Sequence, residues 1–249
     1  MLSNTSPLQA ERTAIRKKGK IIIEKMSAQL TVLNGPFKGL RYPHLDIPTS
    51  SLPSRIAGSY EMQLHPTIQK IIQTPYTHLI DVGCAEGYYA VGFALNMAAT
   101  TIHCFDTNAS ILNFCKSMAT LNGVQNITYN DFCAPDTLIH FDFGTRSFIF
   151  CDCEGYELQL FTKEVIHKLK KVDILIELHD VFNPQLSAEL LPRFQETHHL
   201  QIINNLNPNF ASLQGLESLS EAEKTFTTFE HRGGFCKDLL MEWAFLMAK

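Results

Sequence analysis

From His78 onward the chain alternates short apolar, often β-branched runs with longer stretches of helical spacing, and no other feature narrows the possible folds so much. Parallel strands need long connections between them, so this alternation is the mark of a parallel sheet covered on both faces by helices. The expected strands are residues 77–82, 101–106, 126–130, 147–152, 172–179, 200–206 and 239–247. A long polar stretch without a crossover pattern precedes the seventh strand, which predicts that this strand runs antiparallel to its neighbours.

The segment before the sheet reads differently. Residues 1–25 are polar and basic apart from Ile21 to Ile23 and predict a frayed tail or short helix. Alternation over residues 28–33, the turn residues of 34–38 and a second extended run over 39–42 predict a small hairpin. After a Pro/Ser-rich connection, Met62, Leu64, Ile68, Ile71 and Ile72 recur at roughly helical spacing until Pro75 stops the pattern. The domain division expected is therefore an extension of tail, hairpin and helix over 1–75, followed by one α/β domain over 76–249. The extension is expected either to form part of a pocket or its lid, through residues 58–61, or merely to cap a helix start with Ser59 and Glu61.

Composition sets limits on function. With 45% hydrophobic and 18% charged residues the chain can bury a continuous core, and a net charge of -4 gives no field that would gather nucleic acid or an anionic membrane. The basic run Arg16, Lys17, Lys18 and Lys20 reads as a solvated tail, with a nucleic-acid arm as the alternative. Seven cysteines contain no CxxC pair, so their spacing suggests neither a disulfide framework nor a zinc site; they read as reduced, buried small hydrophobes of a cytoplasmic protein. No secretory signal and no membrane span is visible.

The strongest local signal is LIDVGCAEGYYAVGFAL, residues 79–95, where an apolar strand ends near Asp81 and a helix begins near Glu86. Gly83 and Gly87 allow a tight turn and close approach of a ligand to helix-start amides. The spacing is Gly-x-x-x-Gly, so the dinucleotide fingerprint is incomplete, and Cys84, Ala85 and Glu86 fill its centre. A carboxylate at Glu86 would repel a pyrophosphate but tolerates a sulfonium and an amino acid, which favours S-adenosylmethionine over NAD. At the end of the second strand Asp106, followed by Thr107, can accept hydrogen bonds from ribose hydroxyls, and after the third strand Asp131 and Phe132 offer a polar group and a flat ring to an adenine. Loop solvation or helix capping is the competing role for both aspartates.

The fourth and fifth strands end in acidic tips. Where strand order reverses between strands one and four, these tips lie beside the ligand crevice, which gathers Asp152, Glu154, Glu177, His179 and Asp180 around one pocket. Glu154 and Glu157 could equally favour a helix N-terminus. His179 is the side chain best suited to accept a proton near neutral pH, with Glu177 or Asp152 orienting it, and a divalent ion on Asp152 with Glu177 or His179 is the alternative activation.

Together with the glycine turn, Asp152-Cys153-Glu154-Gly155-Tyr156-Glu157 and the Glu177 to Asp180 ending resemble the FkbM-type branch of class I methyltransferases over about residues 79–180. The resemblance implies a Rossmann-like, seven-stranded class I methyltransferase sheet over 76–249, S-adenosylmethionine as cofactor, and methyl transfer to a hydroxyl of a small-molecule, often sugar-like acceptor. It implies no dedicated set of metal ligands. The other readings are an NAD-type oxidoreductase and a nucleotide-binding or regulatory module without catalysis.

Overall fold

The computed structural model describes residues 7–47, 49–204, 210–228 and 242–249. Its centre is a seven-stranded sheet built from β1 (His78–Val82), β2 (Thr101–Phe105), β3 (Ile127–Asn130), β4 (Ser147–Cys151), β5 (Asp173–Leu178), β6 (His198–Ile203) and β7 (Glu242–Ala248), in the order β3-β2-β1-β4-β5-β7-β6. The first five strands pair in parallel, and β7 lies antiparallel between β5 and β6. All seven expected strands are present, with β6 beginning two residues early at His198. Residues 205–206 and 239–241 of the expected strands lie outside the described residues.

The helices are α1 (Pro7–Met26), α2 (Leu52–Ala57), α3 (His65–Gln73), α4 (Tyr88–Asn96), α5 (Ala109–Leu121), α6 (Pro135–His140), α7 (Glu157–Leu160), α8 (Lys163–Lys168), α9 (Leu186–Leu190) and α10 (Glu221–Thr228). Side chains alternate across the sheet. Ile80, Val82, Ile149, Cys151, Ile174 and Ile176 enter one core layer, shared with Leu138 of α6 and Val165 of α8. On the other face Tyr89 and Phe93 of α4 pack on Phe150, with ring centroids 4.2 and 6.0 Å away, and Trp243 of β7 reaches the same ring at 5.1 Å. Two compact units are present. One holds the described residues up to His65 with those of 207–239, and the other holds those of 66–206 and 240–249.

In the first unit, of the frayed tail or short helix expected at the start it is a helix that forms, and at 20 residues, 7–26, it is a long one. The apolar cluster explains why: Ile22, Ile23 and Met26 are buried while Ile21 is 50% exposed. One packed stripe stabilises a helix whose other face is solvated. Lys25 adds a 2.6 Å ion pair to Glu223 at the start of α10. The small hairpin expected over 28–42 is present: the amides of Val32, Gly39 and Tyr42 donate to the carbonyls of Leu40, Val32 and Leu30, around the antiparallel bridge of Thr31 with Arg41. Asn34 ties its bend into the unit, since its side-chain amide donates to the carbonyls of Ala57 and Gln214.

Among the described residues, no helix is long and apolar enough to cross a membrane.

Candidate functional site

The glycine turn connects β1 to α4 and lies against the tip of β4. Gly83 has φ 84°, and a β-carbon there would stand 1.7 Å from the carbonyl oxygen of Asp152, so only glycine allows the two strand tips to meet. Its amide and that of Cys84 both donate to the carbonyl of Phe105, which ties the turn to β2 as well. Gly87, with φ 98°, opens α4 and would place a β-carbon 2.6 Å from the sulfur of Cys115. Ala85 between them also holds positive φ, at 46°, an uncommon conformation for a residue with a side chain. Its amide donates to Oδ2 of Asp106 at 3.0 Å, while Oδ1 accepts the Asn108 amide at 2.8 Å. Asp106 thus bridges the two loops and retains lone pairs for a further donor.

The other residues named at this end of the sheet are placed as follows. Glu86 is buried, and Thr107, next to Asp106 in the chain, is exposed. Asp131 is exposed, and its Oδ1 accepts the amide of Phe132 at 2.7 Å. The ring of Phe132 is 48% exposed and lies 5.2 Å from that of Tyr156, so β3 and β4 present an aromatic wall. Asp81, also a candidate for holding the cofactor at this turn, is 1% exposed, in register with Cys104, and neither of its carboxylate oxygens has a hydrogen-bond partner among the described residues. Burial, then the neighbouring Cys115 and Asp106, push its carboxyl well above the usual range.

At the tips of β4 and β5 one imidazole is surrounded by carboxylates. His179 follows β5 and is 1% exposed, with its ring stacked at 15° on Phe182. Nδ1 lies 2.7 Å from Oε1 of Glu157. Nε2 faces three more oxygens, Asp152 Oδ1 at 3.4 Å, Glu177 Oε2 at 3.5 Å and Glu154 Oε2 at 3.6 Å. Glu177 is as buried as the ring, Asp152 is partly exposed and Glu154 is 74% exposed, so the cluster is closed below and open at its rim. Glu154 adopts φ 55°, a left-handed conformation that turns the chain back before Gly155. Asp180, expected at the same pocket, instead accepts the amide and the hydroxyl of Ser187.

Glu157 is the residue whose role the motif alone did not single out. It opens α7, as its helix-start character suggests, yet its side chain is fully buried and turned onto His179. The signal was its spacing, three residues beyond Glu154 across the Gly155 turn. Burial opposes charge on the imidazole, but the hydrogen bond that His179 donates to Glu157 and the charges of Glu177, Glu157 and Glu154 outweigh it and raise the affinity of His179 for a proton. For Glu157 burial acts in the raising direction and is outweighed by the hydrogen bond and charge of His179, which hold its carboxyl below the usual range.

These shifts determine a pH window. The raised imidazole contributes stability that is present below about pH 6.5 and is lost as pH rises through its folded pKa; the depressed carboxyl contributes stability that is present above about pH 4.3 and is lost as pH falls through its folded pKa. Glu157→Gln is therefore expected to cost about 1.5 to 3 kcal/mol, the usual range for a hydrogen bond to a charged group, with the largest loss between those two values. Urea unfolding across a pH series checks this, and an equal loss at pH 5.5 and 9.5 would contradict it.

No protein-family model matches the chain, and no curated protein matches its sequence. In structure the chain is similar to a Klebsiella pneumoniae protein provisionally described as an O-methyltransferase, with 11% identity, 99% of this chain and 93% of that chain covered, and a TM-score of 0.51. A coclaurine N-methyltransferase bound to N-methylheliamine and SAH aligns at 13% identity over 98% of this chain and 95% of its own, with a TM-score of 0.46. A geranyl diphosphate methyltransferase in complex with SAM aligns at 10% identity over 79% of this chain and 89% of its own, with a TM-score of 0.44. The strand order, with its antiparallel β7 between β5 and β6, and the likeness to the Klebsiella structure give this chain the class I methyltransferase fold.

Proposed function

We propose that the chain is an S-adenosylmethionine-dependent methyltransferase of the FkbM-type branch, acting on a hydroxyl of a small-molecule or sugar-like acceptor. The observation that carries the cofactor assignment is the cradle at the tips of β1 and β2, where Gly83 and Gly87 remove side chains from the turn and Asp106 holds Ala85 in place. A cofactor with a ribose, an adenine and a charged amino-acid end fits residues of this kind. Asp106 and Thr107 take the ribose hydroxyls, Asp131 and the exposed ring of Phe132 the adenine, and the turn formed by Gly83, Ala85, Glu86 and Gly87 the amino-acid end. When bound, the cofactor supplies an electrophilic methyl group on a sulfonium.

The chain's own residues then have to accept a proton. A hydroxyl is a weak nucleophile, and a base that takes its proton during attack accelerates the step. In this reading the acceptor meets the open rim, Asp152 and Glu154, and its proton passes to Nε2 of His179. Glu177 and Glu157 stabilise the resulting imidazolium from the closed side. The FkbM-type assignment draws support from this cluster, because each acidic residue of the Asp152 to Glu157 motif has a place in it. A second reading rests on a separate spacing: Asp152, Glu154 and His179 offer ligand atoms within 4.8 Å of one another, so a hard divalent cation there would lower the pKa of the acceptor hydroxyl instead. Activity that survives chelation favours the proton route, and activity that magnesium or manganese restores after chelation favours the cation.

Asp106→Ala is expected to weaken S-adenosylhomocysteine binding by roughly 1 to 3 kcal/mol, the cost of removing a partner from a hydrogen-bonded group, while the fold persists. Titration calorimetry reads this directly. Unchanged affinity in a folded variant would remove Asp106 from the ribose site.

A further inference from the structure

Beneath the glycine turn the fold assembles a group of thiols that the methyl-transfer reading does not use. Cys84 belongs to the turn itself, Cys104 to β2 and Cys115 to α5, at positions 20 and 11 residues apart in sequence. Their sulfurs all lie within 4.8 Å of one another, and all three residues are buried. No disulfide joins them. Three sulfurs gathered at this separation suit the face of a tetrahedral thiolate site, since four ligands at about 2.3 Å from a zinc ion stand just under 4 Å apart.

A second, independent observation points into the same place. Asp81 is the direct register partner of Cys104 across β1 and β2, so the two side chains leave the sheet side by side on the face that α5 covers. It is 1% exposed, and both carboxylate oxygens lack a hydrogen-bond partner among the described residues. A buried carboxylate with no donor is costly, and such groups are normally paired or bound to a metal. Gly87 closes the top of the group, because the sulfur of Cys115 occupies the space that a β-carbon at that position would need.

We propose that Cys84, Cys104 and Cys115 form a binding site for one borderline-soft divalent cation of the zinc class, with the buried carboxyl group of Asp81 beside it. Three sulfurs withdrawn from solvent suit a structural metal centre rather than a catalytic one, which would keep a position open to water. Binding displaces the thiol protons to solvent and leaves the cation held by thiolates, so affinity rises with pH. The consequence for the fold is specific: one ion would cross-link the glycine turn, the second strand and the helix that follows it, fixing the cofactor cradle from below. The cluster of Asp152, Glu154 and His179 is harder and more open, and it would take a different class of ion.

The test uses the full chain. Purified without chelator from zinc-supplemented medium, the protein is expected to carry one equivalent of zinc by elemental analysis. Metal-free protein prepared under reducing conditions and titrated with cobalt(II) is expected to develop the intense near-ultraviolet band of thiolate-to-cobalt charge transfer, saturating at one equivalent. The band should persist in Cys153→Ser and be lost in Cys104→Ser. Because Cys104→Ser could fail to fold, alkylation of the unmodified protein followed by peptide mass mapping supplies an independent reading. Zinc should slow modification of Cys84, Cys104 and Cys115 by about tenfold or more, as expected when bound ligand withdraws a group from its reactive state, and leave Cys133 and Cys153 unchanged. A folded, metal-free protein that gives no thiolate band with cobalt, or zinc protection confined to other cysteines, would overturn the proposal.

Discussion

His179→Ala is expected to lower single-turnover methyl transfer by roughly 100-fold or more, the range for loss of a positioned base, while affinity for S-adenosylhomocysteine stays nearly intact. The separation follows from geometry. His179 stands at the tips of β4 and β5, among Asp152, Glu154, Glu157 and Glu177, whereas the cofactor cradle is built from the tips of β1 and β2. The same carboxylates determine the pH profile. They raise the affinity of the imidazole for a proton, and only the deprotonated ring can accept one, so the acid limb of kcat/KM should have its midpoint above the ordinary histidine value of about 6.5. Glu177→Gln removes one of the raising charges and should move that midpoint toward lower pH. Full activity in His179→Ala would remove the base assignment and leave Asp152 as the proton acceptor.

Gly83→Ala is expected to destabilise the protein by about 4 kcal/mol or more, in the range reserved for overpacking or forced backbone strain, and to lower the melting temperature by roughly 10 °C or more. Two effects combine there. Positive φ strains any side-chain-bearing residue, and the new methyl would overlap the carbonyl of Asp152 at 1.7 Å, which is backbone and cannot rotate away. Gly123 separates the two. It has φ 70° but open space around a built β-carbon, so Gly123→Ala should cost only about 1 kcal/mol. Thermal melts of the pair check the account, and equal losses would show that the approach of the β1 and β4 tips is not what requires glycine at Gly83.

The sheet was legible because its strands are buried on both faces and read as apolar runs, and the antiparallel β7 was legible because no crossover pattern precedes it. The glycine turn was legible too, since only glycine tolerates the conformations required at Gly83 and Gly87. What the sequence concealed depended on contacts across the fold. The length of the helix over 7–26 was not legible because the elements that Ile22, Ile23 and Met26 and the rest of its buried side meet, α2 and α10, lie far along the chain. Asp180 looked like a pocket residue because it ends an apolar strand, but Ser187 lies seven residues on and takes both its oxygens. Glu157 was readable as a helix opener and not as the partner of His179, since that contact joins two strand tips whose approach topology alone creates. The three cysteines under the turn follow the same logic, as their sequence spacing fits no metal motif while β1, β2 and α5 bring them together.

The most direct test of the central claim is equilibrium binding of S-adenosylhomocysteine and NAD to the unmodified chain, measured by titration calorimetry under the same conditions. The proposed function predicts saturable binding of S-adenosylhomocysteine at one site per chain, with no heat of binding for NAD. Binding of NAD in its place, or of neither compound by a folded protein, would contradict it.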